Sequence, residues 1–167
     1  MLVVATGAAA IAPERVAAIA VRTLGYDRGL TRRAGTRVDL LVLCATAQAA
    51  ACRSAFAPLE GIKVQGIPLA VVVAAPDAAS LAALLATHKP DAVFASGRQD
   101  LVVSLAALAP AAPFVLLADG RAAMAAGAHL AIVEVAGKPK LVVSPTAAKR
   151  ATIYFGAELL ALAELYP

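Results

Sequence analysis

The chain has 167 residues, 61% of them hydrophobic and 16% charged, with 15 Lys and Arg against 11 Asp and Glu for a formal net charge of +4. That length suits a single domain with one core, and that apolar content excludes a disordered chain. With no Trp, four Phe and three Tyr, the core must be built from Val, Leu, Ile and Ala, and no aromatic stacking platform for nucleic acid is expected.

Residues 1–13 carry no charged side chain and include Ala8-Ala9-Ala10, so they read either as the remnant of a secretory signal peptide or as an ordinary first strand. An amphipathic helix follows over Glu14 to Gly25, with Val16, Ile19, Ala20 and Thr23 on one face. The polar stretch Asp27 to Thr36 reads as a loop. It holds three of the four clustered arginines, Arg28, Arg32, Arg33 and Arg37, which suit a solvated surface or, alternatively, an anion or partner site. Val38 to Leu43 is apolar at nearly every position, the mark of a strand covered on both faces.

A helix is expected from about Ala47 to Ala57, then a second buried strand over Leu69 to Ala74. Asp77 would cap a helix whose Leu81, Leu84, Leu85 and His88 share a face, and Pro90 ends it. Strand Ala92 to Ala95, helix Gln99 to Ala109 and strand Phe114 to Leu117 continue the alternation. Leu101 to Ala118 is uncharged for 18 residues, but Pro110 and Pro113 divide it, so no membrane span is read there. Strands Leu130 to Val135 and Leu141 to Val143 flank Gly137-Lys138-Pro139, a turn able to close a hairpin. A long last helix is expected from Thr146 to about Leu165, with Ala148, Thr152, Phe155, Leu159, Leu162 and Tyr166 as its apolar stripe.

This alternation predicts an α/β fold: a three-layer, mostly parallel, doubly wound sheet of about five or six strands with a C-terminal hairpin and a long final helix, formed by residues 14–167 as one domain. Ligands of such sheets bind outside the carboxyl ends of the strands. The loops selected by that rule are Cys44 to Thr46, Ala75 to Asp77, Ser96 to Gln99 and Asp119 to Arg121.

No Gly-x-x-x-x-Gly-Lys phosphate loop and no Gly-x-Gly-x-x-Gly turn occurs. Ser96 lacks the glycine two residues earlier that a nucleophile elbow needs, Phe94 standing there, and it reads as a helix N-cap. His88 and His129 have no nucleophile and acid that spacing can assign to them, and no metal-ligand spacing is found. Neither an enzyme nor a cofactor is therefore expected. The candidate ligand-binding residues are Thr46, Ser96, Gly97, Arg98, Gln99, Asp119 and Arg121, with Ser96 to Gln99 as an anion site built from backbone N–H groups and a guanidinium. Cys44, at a strand end, and Cys52, in the following helix, could be bridged or could be two buried thiols.

Two stretches carry a family likeness. The helix that runs into Tyr26-Asp27-Arg28, and the closing segment with Ala147-Ala148-Lys149 and Leu159-Leu160-Ala161-Leu162-Ala163, resemble YfiR-like periplasmic proteins. A weaker likeness is to one lobe of the substrate-binding components of ABC transporters. The YfiR-like resemblance implies an exported, often dimeric, non-catalytic regulator that acts on the periplasmic part of a membrane signalling protein such as a diguanylate cyclase or sensor kinase. Ser144 stands where that family commonly has Asn. Tyr26, Asp27, Arg28, Arg32 and Arg33 are the candidate partner-binding residues. The alternative is a domain binding a small anion or an amino-acid-like molecule.

Overall fold

A computed structural model describes residues 11–167. The expectation for the N-terminal stretch lies, over residues 1–10, outside the described residues; Ala12 leads directly into the first helix.

Helix α1 spans Pro13–Leu24, with Pro13 at its first position, where the missing N–H costs nothing. Its buried face, Ala17, Ala20, Val21 and Leu24, is small and aliphatic. The expected loop after it contains a short helix, α2 (Leu30–Ala34), pinned by the fully buried Leu30. Strand β1 (Val38–Leu43) and α3 (Ala49–Phe56) follow, then the short β2 (Lys63–Val64) and the longer β3 (Ile67–Ala74). The middle of the chain continues with α4 (Leu81–His88), β4 (Ala92–Ala95), α5 (Gln99–Leu108) and β5 (Val115–Asp119). The last part comprises α6 (Ala122–Ala125), β6 (Leu130–Val135), β7 (Lys138–Val143), α7 (Pro145–Arg150), α8 (Ala157–Leu162) and β8 (Glu164–Leu165).

The strands form one sheet in the order β2-β3-β1-β4-β5-β6-β7-β8. Its central strands β3, β1, β4, β5 and β6 are parallel; β2 joins β3 and β7 joins β6 in antiparallel fashion. The fold is thus the expected α/β sheet with its C-terminal hairpin, but with eight strands rather than five or six. The connections β1 to β3 and β4 to β5 run in opposite directions across the sheet, so right-handed crossovers place α3 and α5 on opposite faces. Between these layers every residue of β4 and Val115 to Ala118 of β5 is buried.

Three expectations are corrected. Strand β3 is not fully buried: it lies one strand from the edge, covered on its outer side only by the two residues of β2, and Val72 is 39% exposed. The hairpin turn is Ala136-Gly137, both at positive φ, which matches the right-handed twist of the flanking strands; Lys138 and Pro139 already belong to β7.

The long final helix is broken. After α7 the chain turns at Thr152 (φ 58°), runs extended through Phe155 and restarts as a helix after Gly156. The β-branched and aromatic run Ile153-Tyr154-Phe155 favours the extended path after that turn and buries Ile153 and Phe155 inward. Leu162 of the expected stripe is 70% exposed, because α8 points a different side to the core. Ser144 caps α7, accepting the N–H of Ala147 at 3.3 Å.

Candidate functional site

The four strand-end loops selected by the fold rule do meet. Arg98 opens α5, and its guanidinium donates to the carbonyl of Pro76 at 2.8 Å and of Cys44 at 3.3 Å, joining the ends of β3, β1 and β4. Its other nitrogens form a two-point pair with Asp100, both bonds at 2.9 Å. That pairing raises the guanidinium pKa above its usual range and lowers that of the Asp100 carboxyl. The carboxylate of Asp119 accepts the backbone N–H of Gly97 at 2.7 Å and the hydroxyl of Ser96 at 3.2 Å, joining β5 to β4.

This geometry alters the roles expected for several residues. Ser96 does not cap α5; its hydroxyl is spent on Asp119. The Gly97 N–H, expected to hold an external anion, already holds the chain's own carboxylate, and Arg98 is turned toward carbonyls and Asp100. Arg121 pairs with Glu164 of β8, which Lys140 also approaches at 3.2 Å; the two cations lower the Glu164 pKa. Thr46 is exposed on a single 3-10 turn, and Gln99 lies close enough to Gly120 that a Cβ there would meet its amide at 2.9 Å.

Cys44 and Cys52 are joined by a disulfide that ties the end of β1 to α3. Beside it opens a cleft of about 370 Å³ among the described residues, with Val16, Phe56, Phe94 and Ala55 on its walls and Gln48, Ser96, Gly97 and Asp119 as its polar lining.

The second candidate region is the Tyr26-Asp27-Arg28 segment. It runs antiparallel to the extended stretch around Phe155: Arg28 donates its N–H to the carbonyl of Tyr154 at 2.9 Å, and Gly156 donates to the carbonyl of Tyr26 at 2.8 Å. The side-chain amide of Gln65 holds the carbonyls of Gly25 and Asp27 from the other side. Asp27 is fully buried, accepts the N–H of Gly29 at 2.9 Å and pairs with Arg33, while Arg37 pairs with Asp39. Asp27 and Arg33 are therefore internal partners of each other. Tyr26 is half-buried, and Arg28 and Arg32 are exposed and form no ion pair among the described residues.

Opposed residues of an antiparallel pair share a face, so Arg28 and Tyr154 stand side by side on the outside while Asp27 and Phe155 point in. Lys149 and Arg150, at the end of α7, are likewise exposed and unpaired among the described residues. The pairing that sets Tyr154 opposite Arg28 is long-range, so no local pattern in the sequence could mark it.

His129 is buried just before β6, where its Nδ1 accepts the N–H of Leu116 at 3.0 Å. Burial, with a contribution from Arg33, pushes its pKa down to about 4, so it is a neutral structural acceptor at pH 7.

These features define a doubly wound α/β domain with a cleft at its strand ends and exposed Arg28 and Tyr154 where Tyr26-Asp27-Arg28 pairs with the stretch around Phe155. The chain belongs to the YfiR/HmsC-like family, whose model matches residues 14–164. No curated protein matches it. Among solved structures it is similar to a conserved domain protein from Vibrio cholerae O1 biovar El Tor, at 14% identity and TM-score 0.61, over 92% of this chain and 59% of that one. It is also similar to an ABC domain in complex with L-Trp from Streptococcus pneumoniae, at 10% identity and TM-score 0.56, over 86% of this chain and 60% of that one. Both likenesses are likenesses of fold, and the chain spans about three fifths of the length of each structure. No helix among the described residues is long and apolar enough to cross a membrane.

Proposed function

We propose that the protein is a non-catalytic periplasmic regulator that binds the periplasmic part of a membrane signalling protein, such as a diguanylate cyclase or sensor kinase. Membership of the YfiR/HmsC-like family supports the regulatory class. The observation that carries the contact surface is the outward pair Arg28 and Tyr154; Arg32, Lys149 and Arg150 are also exposed and form no ion pair among the described residues. An exposed tyrosine beside an arginine offers the residue types that dominate protein interfaces, and the exposed cations would steer an acidic partner.

The test is co-purification from membranes, with the bound protein identified by mass spectrometry. The native chain should retain a membrane protein carrying a cyclase or kinase module. Arg28→Glu with Arg32→Glu, and separately Tyr154→Ala, should lose it without a change in melting temperature. Equal recovery by all three proteins would remove this surface from the contact.

A further inference from the structure

We infer that the cleft at the strand ends binds a small compound that joins an ammonium group to an apolar body, with Asp119 as the counter-charge. The sheet order places the cleft where a ligand is expected on topological grounds. From β1 the chain moves to β3 on one side and then returns to β4 on the other, so the direction of winding reverses between β1 and β4. In open α/β sheets the crevice outside the carboxyl ends of the strands at such a reversal is the general ligand position. Here it is walled by Gln48 and Cys52 from the segment after β1 and by Ser96 and Gly97 at the end of β4. Its volume of about 370 Å³ falls within the range of small-molecule sites.

The electrostatics select the class of ligand. Among the described residues, Asp119 is the only charged side chain that lines the cleft, and it pairs with no cation among them. Gly97 and Ser96 hold its carboxylate in place from one side, and each oxygen keeps a further lone pair for an outside donor. The two arginines that adjoin the lining in sequence are both committed elsewhere: Arg98 to two carbonyls and Asp100, and Arg121 to Glu164. An anion would meet a fixed negative charge that no cation among the described lining residues offsets. An ammonium group meets a preorganised acceptor, and the apolar part of the same molecule displaces water from Phe56, Val16 and Ala55.

This inference does not depend on the protein partner, and it is tested on the full chain without one. Calorimetric titration and thermal shift would use phenethylamine, isoamylamine and 1,5-diaminopentane, with phenylacetate as the anion of matching body. At least one amine should bind saturably and raise the melting temperature, and phenylacetate should do neither. Asp119→Asn, whose amide oxygen can still accept the Gly97 N–H, should weaken amine binding by about tenfold or more. Ala51→Phe, at an exposed α3 position on the cleft wall, should block binding while leaving the free protein's melting temperature near that of the native chain. No saturable binding by any of the three amines, or binding unaffected by both substitutions, overturns the assignment.

Discussion

The backbone N–H of Arg28 donates to the carbonyl of Tyr154 at 2.9 Å, while its neighbour Asp27 turns its carboxylate inward to Arg33 and the N–H of Gly29. Adjacent residues of one short segment thus divide the work: Asp27 holds the inside together and Arg28 is left on the outside. Their substitutions should separate accordingly. Asp27→Ala leaves the Arg33 guanidinium, 18% exposed, without its counter-charge, and should destabilise the fold by about 3 kcal/mol or more. Arg28→Ala keeps its backbone bond to Tyr154 and should change stability by no more than about 0.5 kcal/mol. Urea unfolding of the two variants beside the native chain measures the difference.

Acid should weaken the protein through His129. Its folded pKa, about 4, lies below the unfolded value near 6.5, so between those values the unfolded chain binds more protons. The contribution is complete above pH 6.5 and is lost as pH falls toward 4, amounting to about 3 kcal/mol over the full span. Protonation of Nδ1 would also remove the acceptor of the Leu116 N–H. Asp91, raised by burial despite accepting the Asp39 N–H at 2.9 Å, takes up its proton more readily in the folded state and partly offsets the loss at the acid end. His129→Asn supplies an acceptor that does not charge. Urea titrations at pH 7 and pH 5 should show a loss for the native chain and a flatter dependence for this variant.

Reduction should lower stability without unfolding the sheet. The bridge closes a short loop, the two cysteines being eight positions apart, which on chain-entropy grounds corresponds to about 2–3 kcal/mol. The loss should appear as a lower melting temperature in dithiothreitol and equally in a Cys44→Ser, Cys52→Ser double variant. Adding dithiothreitol to the double variant should change nothing further.

Much of the central sheet was legible because β1, β4 and β5 are buried on both faces, β1 being apolar at every position from Val38 to Leu43 except Asp39. The strand-end rule likewise brought Ser96, Arg98 and Asp119 into one neighbourhood. Periodicity failed at the C-terminus, where Ala148, Phe155 and Leu159 are all buried at helical spacing although the helix is interrupted between Arg150 and Ala157. What decides that break is a long-range pairing with Tyr26-Asp27-Arg28, which no local window contains. The short helices α2 and α6 were hidden for a related reason: one buried face of four or five residues is too brief a signal, and tertiary packing of Leu30 and Met124 supplies the stability. The sign of the cleft was invisible because it depends on where Arg98 turns, which is set by carbonyls of two other loops.

Arg98 can be tested as the residue that fixes those loops. Its guanidinium is 13% exposed and satisfies carbonyls at the ends of β1 and β3 as well as Asp100, whereas Asp100 is 61% exposed and has solvent as an alternative partner. Arg98→Ala should therefore cost about 2 kcal/mol, the penalty of stranding partly buried acceptors, and Asp100→Ala less than about 1 kcal/mol. Arg98→Lys should recover only part of the loss, since one ammonium group cannot reproduce the fork that reaches Pro76, Cys44 and Asp100 together. If Arg98 served an external anion instead, Arg98→Ala would leave stability unchanged and abolish anion binding. Chemical denaturation of the three variants, with phenylacetate titrated into each, distinguishes an internal anchor from a ligand-binding arginine.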